Sequence, residues 1–169
     1  MKLRALLIYG LVAAFAILID QVIKEWVQID MALYEQIDIL PFFALFYTHN
    51  PGIAFSMFST WGAPALTVLT GAVVCLMLYL ASRSTARQVA ARLGFALIIG
   101  GAIGNLIDRI SLGYVVDYFL FHTPTWSFAV FNLADAFITV GAILVVFQEY
   151  LDWRHNKSDP SNREGSAKH

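Results

Sequence analysis

A single cysteine, Cys75, among 169 residues rules out an intrachain disulfide. Charge is also scarce: 14% of residues are charged against 59% hydrophobic, too little polar surface for a soluble domain of ordinary composition. The formal net charge of −1 provides no basic face for phosphates, which argues against a nucleic-acid partner. There is no His-x-x-x-His spacing and no cysteine cluster, so zinc has no recognisable ligand set, and His49 and His122 read as interfacial residues. Ser56 and Ser59 have no His or Lys at an activating spacing, which speaks against a serine hydrolase. The glycines of 100–104 are not followed by Lys-Ser/Thr, so they form no phosphate loop. Internal repeats are missing as well.

What the chain has is four apolar runs, at 6–23, 63–81, 93–110 and 133–151. Each is long enough to cross a hydrocarbon core of about 30 Å as a helix. Lys and Arg are absent from 25–62 and 111–132, whereas Lys2, Arg4, Arg83, Arg87, Arg92, Arg154, Lys157, Arg163 and Lys168 flank the opposite ends of the runs. This bias places both termini and the basic loops in the cytoplasm and the two Lys/Arg-free segments outside. No small-x-small cleavage site follows the first run and Asp20 interrupts its end, so it reads as an uncleaved span. We expect one four-span domain over 1–155, with an outer segment at about 25–62, and a polar, disordered cytoplasmic tail over 156–169. Cys75, in mid-span, reads as an inert core thiol.

Along the chain, Asp20 and Lys24 stand four residues apart on one helical face at the outer end of the first span. Residues 37–49 mix β-branched and aromatic side chains around Pro41 and read as extended, and Asn50-Pro51-Gly52 signals a turn. A small sheet on the outer membrane surface follows, with Trp61 near the interface. In the third span Gly100 and Gly104 form a small-xxx-small pair that admits another helix, and Asn105, Asp108 and Arg109 share the next face. A turn at Gly113 leads through Tyr114-Val115-Val116-Asp117 into an aromatic outer loop. The fourth helix is predicted to begin at Asn132, with Asp135 one turn below.

This topology brings Asp20, Asn50, Asn105, Asp108, Arg109, Asp117, Asn132 and Asp135 to one level, the outer interface. Charges near a membrane need partners or a task. Asp117 and Asp135, if within reach of one another, would share a proton and so supply a base and an acid together. Bland readings stand beside this one. Asn132-x-x-Asp135 is also a helix cap, Asp117 an ordinary loop acid, Asp108 and Arg109 partly exposed interface residues, and Asp20 with Lys24 a structural pair. A proton or cation relay is the competing class, although it calls for acids spaced through the membrane depth. A passive lipid-binding scaffold leaves the paired aspartates unexplained. The residues alone leave catalysis and ion handling both open.

Five blocks narrow this. They are Asp20-Gln21-x-x-Lys24, Asn50-Pro51-Gly52-Ile53-Ala54-Phe55-Ser56, Gly101-Ala102-Ile103-Gly104-Asn105-Leu106-Ile107-Asp108-Arg109, Gly113-Tyr114-Val115-Val116-Asp117 and Phe131-Asn132-Leu133-Ala134-Asp135. In order and spacing, over about 15–145, they resemble the bacterial lipoprotein signal peptidases (signal peptidase II). Pro51 and Ile53 depart from the small residues commoner in that block. The resemblance implies a mainly α, four-span membrane fold with a small extracytoplasmic β-cradle. It also implies an aspartic endopeptidase of the bacterial inner membrane that removes signal peptides from diacylglyceryl-modified prolipoproteins at the outer face. By position it gives Asp117 and Asp135 as the catalytic pair. Asn50, Asn105, Arg109 and Asn132 become site-lining or supporting residues, and Asp20, Lys24, Gly101, Gly104 and Asp108 structural ones. The partners implied are the prolipoprotein and membrane lipid; we expect no metal, no cofactor and a monomer.

Overall fold

The computed structural model describes residues 3–52 and 62–158. Ser56, Ser59 and Trp61 fall outside them, as do most of the second block and the last part of the tail. Among the described residues the chain forms helices α1 (Leu3–Asp30), α2 (Gly62–Arg83), α3 (Val89–Ser111) and α4 (Leu133–Ser158). It also forms strands β1 (Gln36–Leu40), β2 (Phe43–Asn50), β3 (Val115–Thr123) and β4 (Trp126–Ser127). All four helices are long and apolar enough to cross a membrane. The strands make one antiparallel sheet in the order β1-β2-β3-β4. Connectivity puts that sheet at the end of the bundle where α1 and α3 finish and α2 and α4 start.

Sequence expectation and structure differ at several places. α1 runs seven residues past the predicted end of the first span, because Val27 and Met31 continue its apolar face into a core shared with Tyr47, Val116 and Tyr118 of the sheet. α4 runs into the segment predicted to be a disordered tail. Its last turns are tied down where Gln88 and Gln148 each donate to Asp152, at 2.8 and 2.9 Å. The expected aromatic loop after Asp117 is instead β3, whose β-branched and aromatic residues suit a pleated surface and pair with β2 from Phe43↔Phe121 to Asn50↔Val115. Cys75, expected in the core, is exposed; it lies on a face of α2 turned away from the bundle.

α3 is the helix against which α1, α2 and α4 all pack, each far more extensively than they pack on one another. Of an 18-residue apolar stretch of α3, 67% is buried, against 6–17% in the corresponding stretches of the other three helices. Glycines make this crowding possible, as small residues do where membrane helices approach closely. A Cβ at Gly100 would stand 2.8 Å from Ala16 Cβ of α1, and one at Gly94 2.5 Å from the Gly141 carbonyl oxygen of α4. Gly101 meets the Ala134 backbone, and a Cβ at Gly104 would stand 2.6 Å from Asp20 Oδ2. Gly141→Ala, whose Cβ would stand 2.6 Å from the Gly94 oxygen, is expected to destabilise the bundle by roughly 1–3 kcal/mol through overpacking. A detergent unfolding midpoint unchanged from wild type would contradict this.

Candidate active site

The start of α4 organises the polar end of the bundle. A helix N-terminus carries backbone N–H groups with no partner inside the helix, and here they are met from different elements. Leu133 N donates to Tyr118 Oη of β3 at 3.2 Å and Ala134 N to Asp20 Oδ1 of α1 at 2.9 Å. Asp135 N donates to Asn132 Oδ1 at 2.9 Å, and Asn132 N reaches back to Asp135 Oδ2 at 3.3 Å. Asn132 and Asp135 thus form a reciprocal cap. The helix begins at Leu133, one residue later than predicted.

The same asparagine reaches the other aspartate. Asn132 Nδ2 donates to Asp117 Oδ1 at 2.6 Å and to Asn105 Oδ1 at 3.1 Å. Asn105 Nδ2 in turn donates to Asp135 Oδ1 at 2.7 Å. Asp117 Oδ2 takes a further hydrogen bond of 2.9 Å from Asn50 Nδ2. Asn50 is held in place by its own turn, its Oδ1 accepting from Gly52 N at 2.8 Å. Gly52 has φ +88°, a conformation glycine adopts freely. Two asparagine amides therefore connect the two carboxylates, Asn105 from α3 and Asn132 from the α4 cap, while Asn50 at the end of β2 holds the far oxygen of Asp117.

Asp117 is 1% exposed. Burial, more than any other influence, pushes its carboxyl up to about 6; the nearby Asp135 charge adds to this, while the Asn50 and Asn132 hydrogen bonds and Lys24 oppose it. Arg109 lies within the electrostatic reach of Asp135, Asp117 and Asp108. Its Nη1 donates to the Asn105 carbonyl at 3.4 Å, so its charge faces the carboxylates from α3. Asp135 also lines a groove of about 500 Å³ with Phe128, Phe131, Ala136, Thr139 and Val140. An apolar groove leading from a carboxylate down the side of a membrane helix suits a lipid-embedded ligand.

Behind this lies a second cluster. Lys24 Nζ sits 2.8 Å from Asp20 Oδ2 and 2.9 Å from Asp108 Oδ2, and donates to Asn105 Oδ1 at 2.9 Å. Asp20, Lys24 and Asp108 are 0, 1 and 3% exposed. Asp108 is therefore not the partly exposed interface residue its sequence position suggested; the pairing of Asp20 with Lys24 extends to it. Sequence reasoning gave no role to Gln21, whose Nε2 donates to Asp108 Oδ1 at 2.9 Å, nor to Tyr118. Their side chains are ordinary in sequence, and only the α1–α3 and β3–α4 packing reveals their use. His49 lies on β2, stacked on Tyr114, and His122 on β3 faces Asp38 at 3.5 Å. No group of three or more His, Cys, Asp or Glu among the described residues is arranged to hold a metal.

All the residues singled out along the sequence for one level thus meet in one hydrogen-bonded and electrostatic neighbourhood. The comparisons point the same way. The family model for signal peptidase (SPase) II matches residues 12–151. The lipoprotein signal peptidase of Mesorhizobium japonicum is 57% identical over 154 residues, covering 91% of this chain and 90% of that protein. That of Brucella ovis is 58% identical over 146 residues, covering 86% and 91%. Two solved bacterial membrane enzyme structures, obtained by the in meso method at 1.9 and 2.3 Å resolution, are each 26% identical to the chain. They superpose with TM-scores of 0.75 and 0.79, covering 82 and 89% of this chain and 90 and 92% of their own. With its fold and its sequence in agreement, the chain belongs to the signal peptidase II family of membrane aspartic peptidases.

Proposed function

We propose that Asp117 and Asp135 are the catalytic pair of a prolipoprotein signal peptidase whose site faces the outer side of the bacterial inner membrane. The observation that carries this reading is the linkage of two carboxylates, from β3 and from the first turn of α4, through Asn132 and Asn105. Their place at the sheet end of four apolar helices supports a scissile bond at a membrane surface. The Lys/Arg distribution supports the outer surface and cytoplasmic termini. The groove beside Asp135 supports lateral entry, with the diacylglyceryl chains remaining in lipid. Residues 1–155 act as one membrane protease domain, monomeric, and 156–169 lie on the cytoplasmic side.

The chemistry needs one proton shared by the pair. The ionised aspartate takes a proton from a water held between them, and the water oxygen bonds to the scissile carbonyl carbon. The protonated partner gives its proton to the substrate. The tetrahedral species collapses as the C–N bond breaks: the leaving nitrogen takes the proton that the first aspartate drew from water, and the second aspartate recovers a proton from a hydroxyl of the tetrahedral carbon as the carboxyl product forms. Arg109 supplies positive charge beside the developing oxyanion, and Asn50 and Asn132 are donors already oriented before substrate arrives.

Cleavage of a purified diacylglyceryl-modified precursor peptide in the presence of a chelator tests the function. The modified peptide is expected to be cut ahead of its lipidated cysteine, and the unmodified one much more slowly. Failure of a folded protein to cut the modified peptide would refute the reading. Asn50→Ala removes the donor at Asp117 Oδ2 and the carboxyl is expected to titrate above about 6. The kcat should fall by roughly 10–100-fold, less than the ~10²–10⁴-fold that general acid–base catalysis contributes as a whole, because the carboxyl is retained and only its titration is shifted. An unaltered pH–rate profile would show that Asn50 does not tune the pair.

A further inference from the structure

We propose that Lys24 is a positioning residue for the aspartate pair, its ammonium and the two acids it binds forming a jig that sets both carboxylates. This rests on the assignment of Asp117 and Asp135 as acid and base. The ammonium has three N–H donors and three acceptors at 2.8–2.9 Å: Asp20 Oδ2, Asp108 Oδ2 and Asn105 Oδ1. Each acid grips the backbone one residue ahead of an aspartate of the pair. Asp20 Oδ1 accepts from Ala134 N, beside Asp135, at 2.9 Å. Asp108 Oδ2 accepts from Val116 N, beside Asp117, at 3.1 Å.

The third acceptor extends control to the side chains. A flipped Asn105 amide would turn its NH₂ toward the Lys24 ammonium and the Asn132 Nδ2 donor, and its oxygen toward the Asp135 carboxylate. Lys24 thereby dictates that Asn105 presents N–H to Asp135 Oδ1 and oxygen to Asn132, whose second N–H goes to Asp117 Oδ1. One buried cation thus reaches both carboxylates through two amides. A pair serving stability alone needs no such arrangement, since well-packed apolar residues often replace buried ions without loss.

The test uses the full chain and the diacylglyceryl-modified peptide. Removing Lys24 alone strands two carboxylates, so the informative variant is Lys24→Gln with Asp20→Asn, which keeps the cluster at a formal charge of −1, as in the native set of one Lys and two Asp. A folded double variant is expected to lose kcat by about 10²-fold, with KM within about threefold, because misplacing groups by ångströms penalises the chemical step. The titration near pH 6 should also move upward. Asp117 is faced there by Asp135, Lys24, Asn50 and Asn132, with Arg109 and Tyr118 nearby, and Lys24 holds its value down. Wild-type kcat and an unmoved titration in the folded variant would overturn the proposal. If the variant does not fold, the wild-type protein decides. The Lys24 side-chain ¹⁵N resonance should move with the titration near pH 6 and lose that movement in Asp117→Asn, and a flat resonance overturns the proposal. Wild-type cleavage by Asp117→Asn would instead overturn the pair assignment beneath it.

Discussion

Asp117→Asn and Asp135→Asn are each expected to lower cleavage by about 10⁴-fold or more while leaving the protein folded, because each removes one half of a proton-sharing pair. Asparagine keeps the shape and one acceptor oxygen but cannot exchange a proton. At position 117 that oxygen can satisfy only one of the two amides now aimed at the carboxylate, from Asn50 and Asn132. At position 135 it must choose between the Asn105 amide and the Asn132 backbone. Both variants therefore require a fold check. The double variant should be scarcely slower than either single one, since residues acting as a unit lose their function together. Activity of either folded variant within tenfold of wild type would remove that residue from the chemistry.

The second large effect is a pH-dependent swing in stability. The Asp117 carboxyl moves from an ordinary 3.8 to about 6 on folding. Between these values the folded protein holds a proton that the unfolded chain has released, so raising the pH through this window destabilises the fold. The contribution is fully present below about 4 and lost above about 6, and a shift of roughly two units corresponds to about 3 kcal/mol. Asp117→Asn cannot titrate. Its stability relative to wild type should therefore change in its favour by about 3 kcal/mol from pH 3 to pH 7, whatever constant offset the altered hydrogen bonds introduce. Unfolding in detergent at several pH values measures this. A difference independent of pH would show that Asp117 is not the buried carboxyl described above.

Much of this was legible in sequence where a strong local signal existed. Four apolar runs revealed four helices, the β-branched and aromatic residues around Pro41 revealed an extended segment, and Asn50-Pro51-Gly52 marked the turn that holds Asn50. The site was legible through topology, because spans that alternate direction must return separated polar residues to one end. What escaped had non-local causes. The β3 strand depends on the β2 edge it pairs with, and its opening Tyr114-Val115-Val116-Asp117 suits a loop equally well without that partner. The burial of Asp108 follows from α1 meeting α3, which a helical face cannot disclose by itself. Cys75 looked internal because hydropathy does not separate a lipid-facing position from a protein-facing one. The N-cap and catalytic readings of Asn132 and Asp135 were posed as alternatives. Asn132 caps Asp135 and holds Asp117 with different atoms, so the cap is compatible with the proposed chemistry.

The central place of α3 has a consequence for how such a sequence can vary over generations. A helix with neighbours on three sides has few positions where a larger side chain goes unnoticed, and the close approaches at Gly94, Gly100, Gly101 and Gly104 leave it almost none on those faces. α2, which packs mainly on α3 and is buried over only 6% of its apolar stretch, answers chiefly to the solvent requirement of lipid, and many apolar residues meet that requirement equally well. Drift should therefore accumulate in the second span and stall in the third. Two lineages could come to share little of α2 while still reading almost alike along α3.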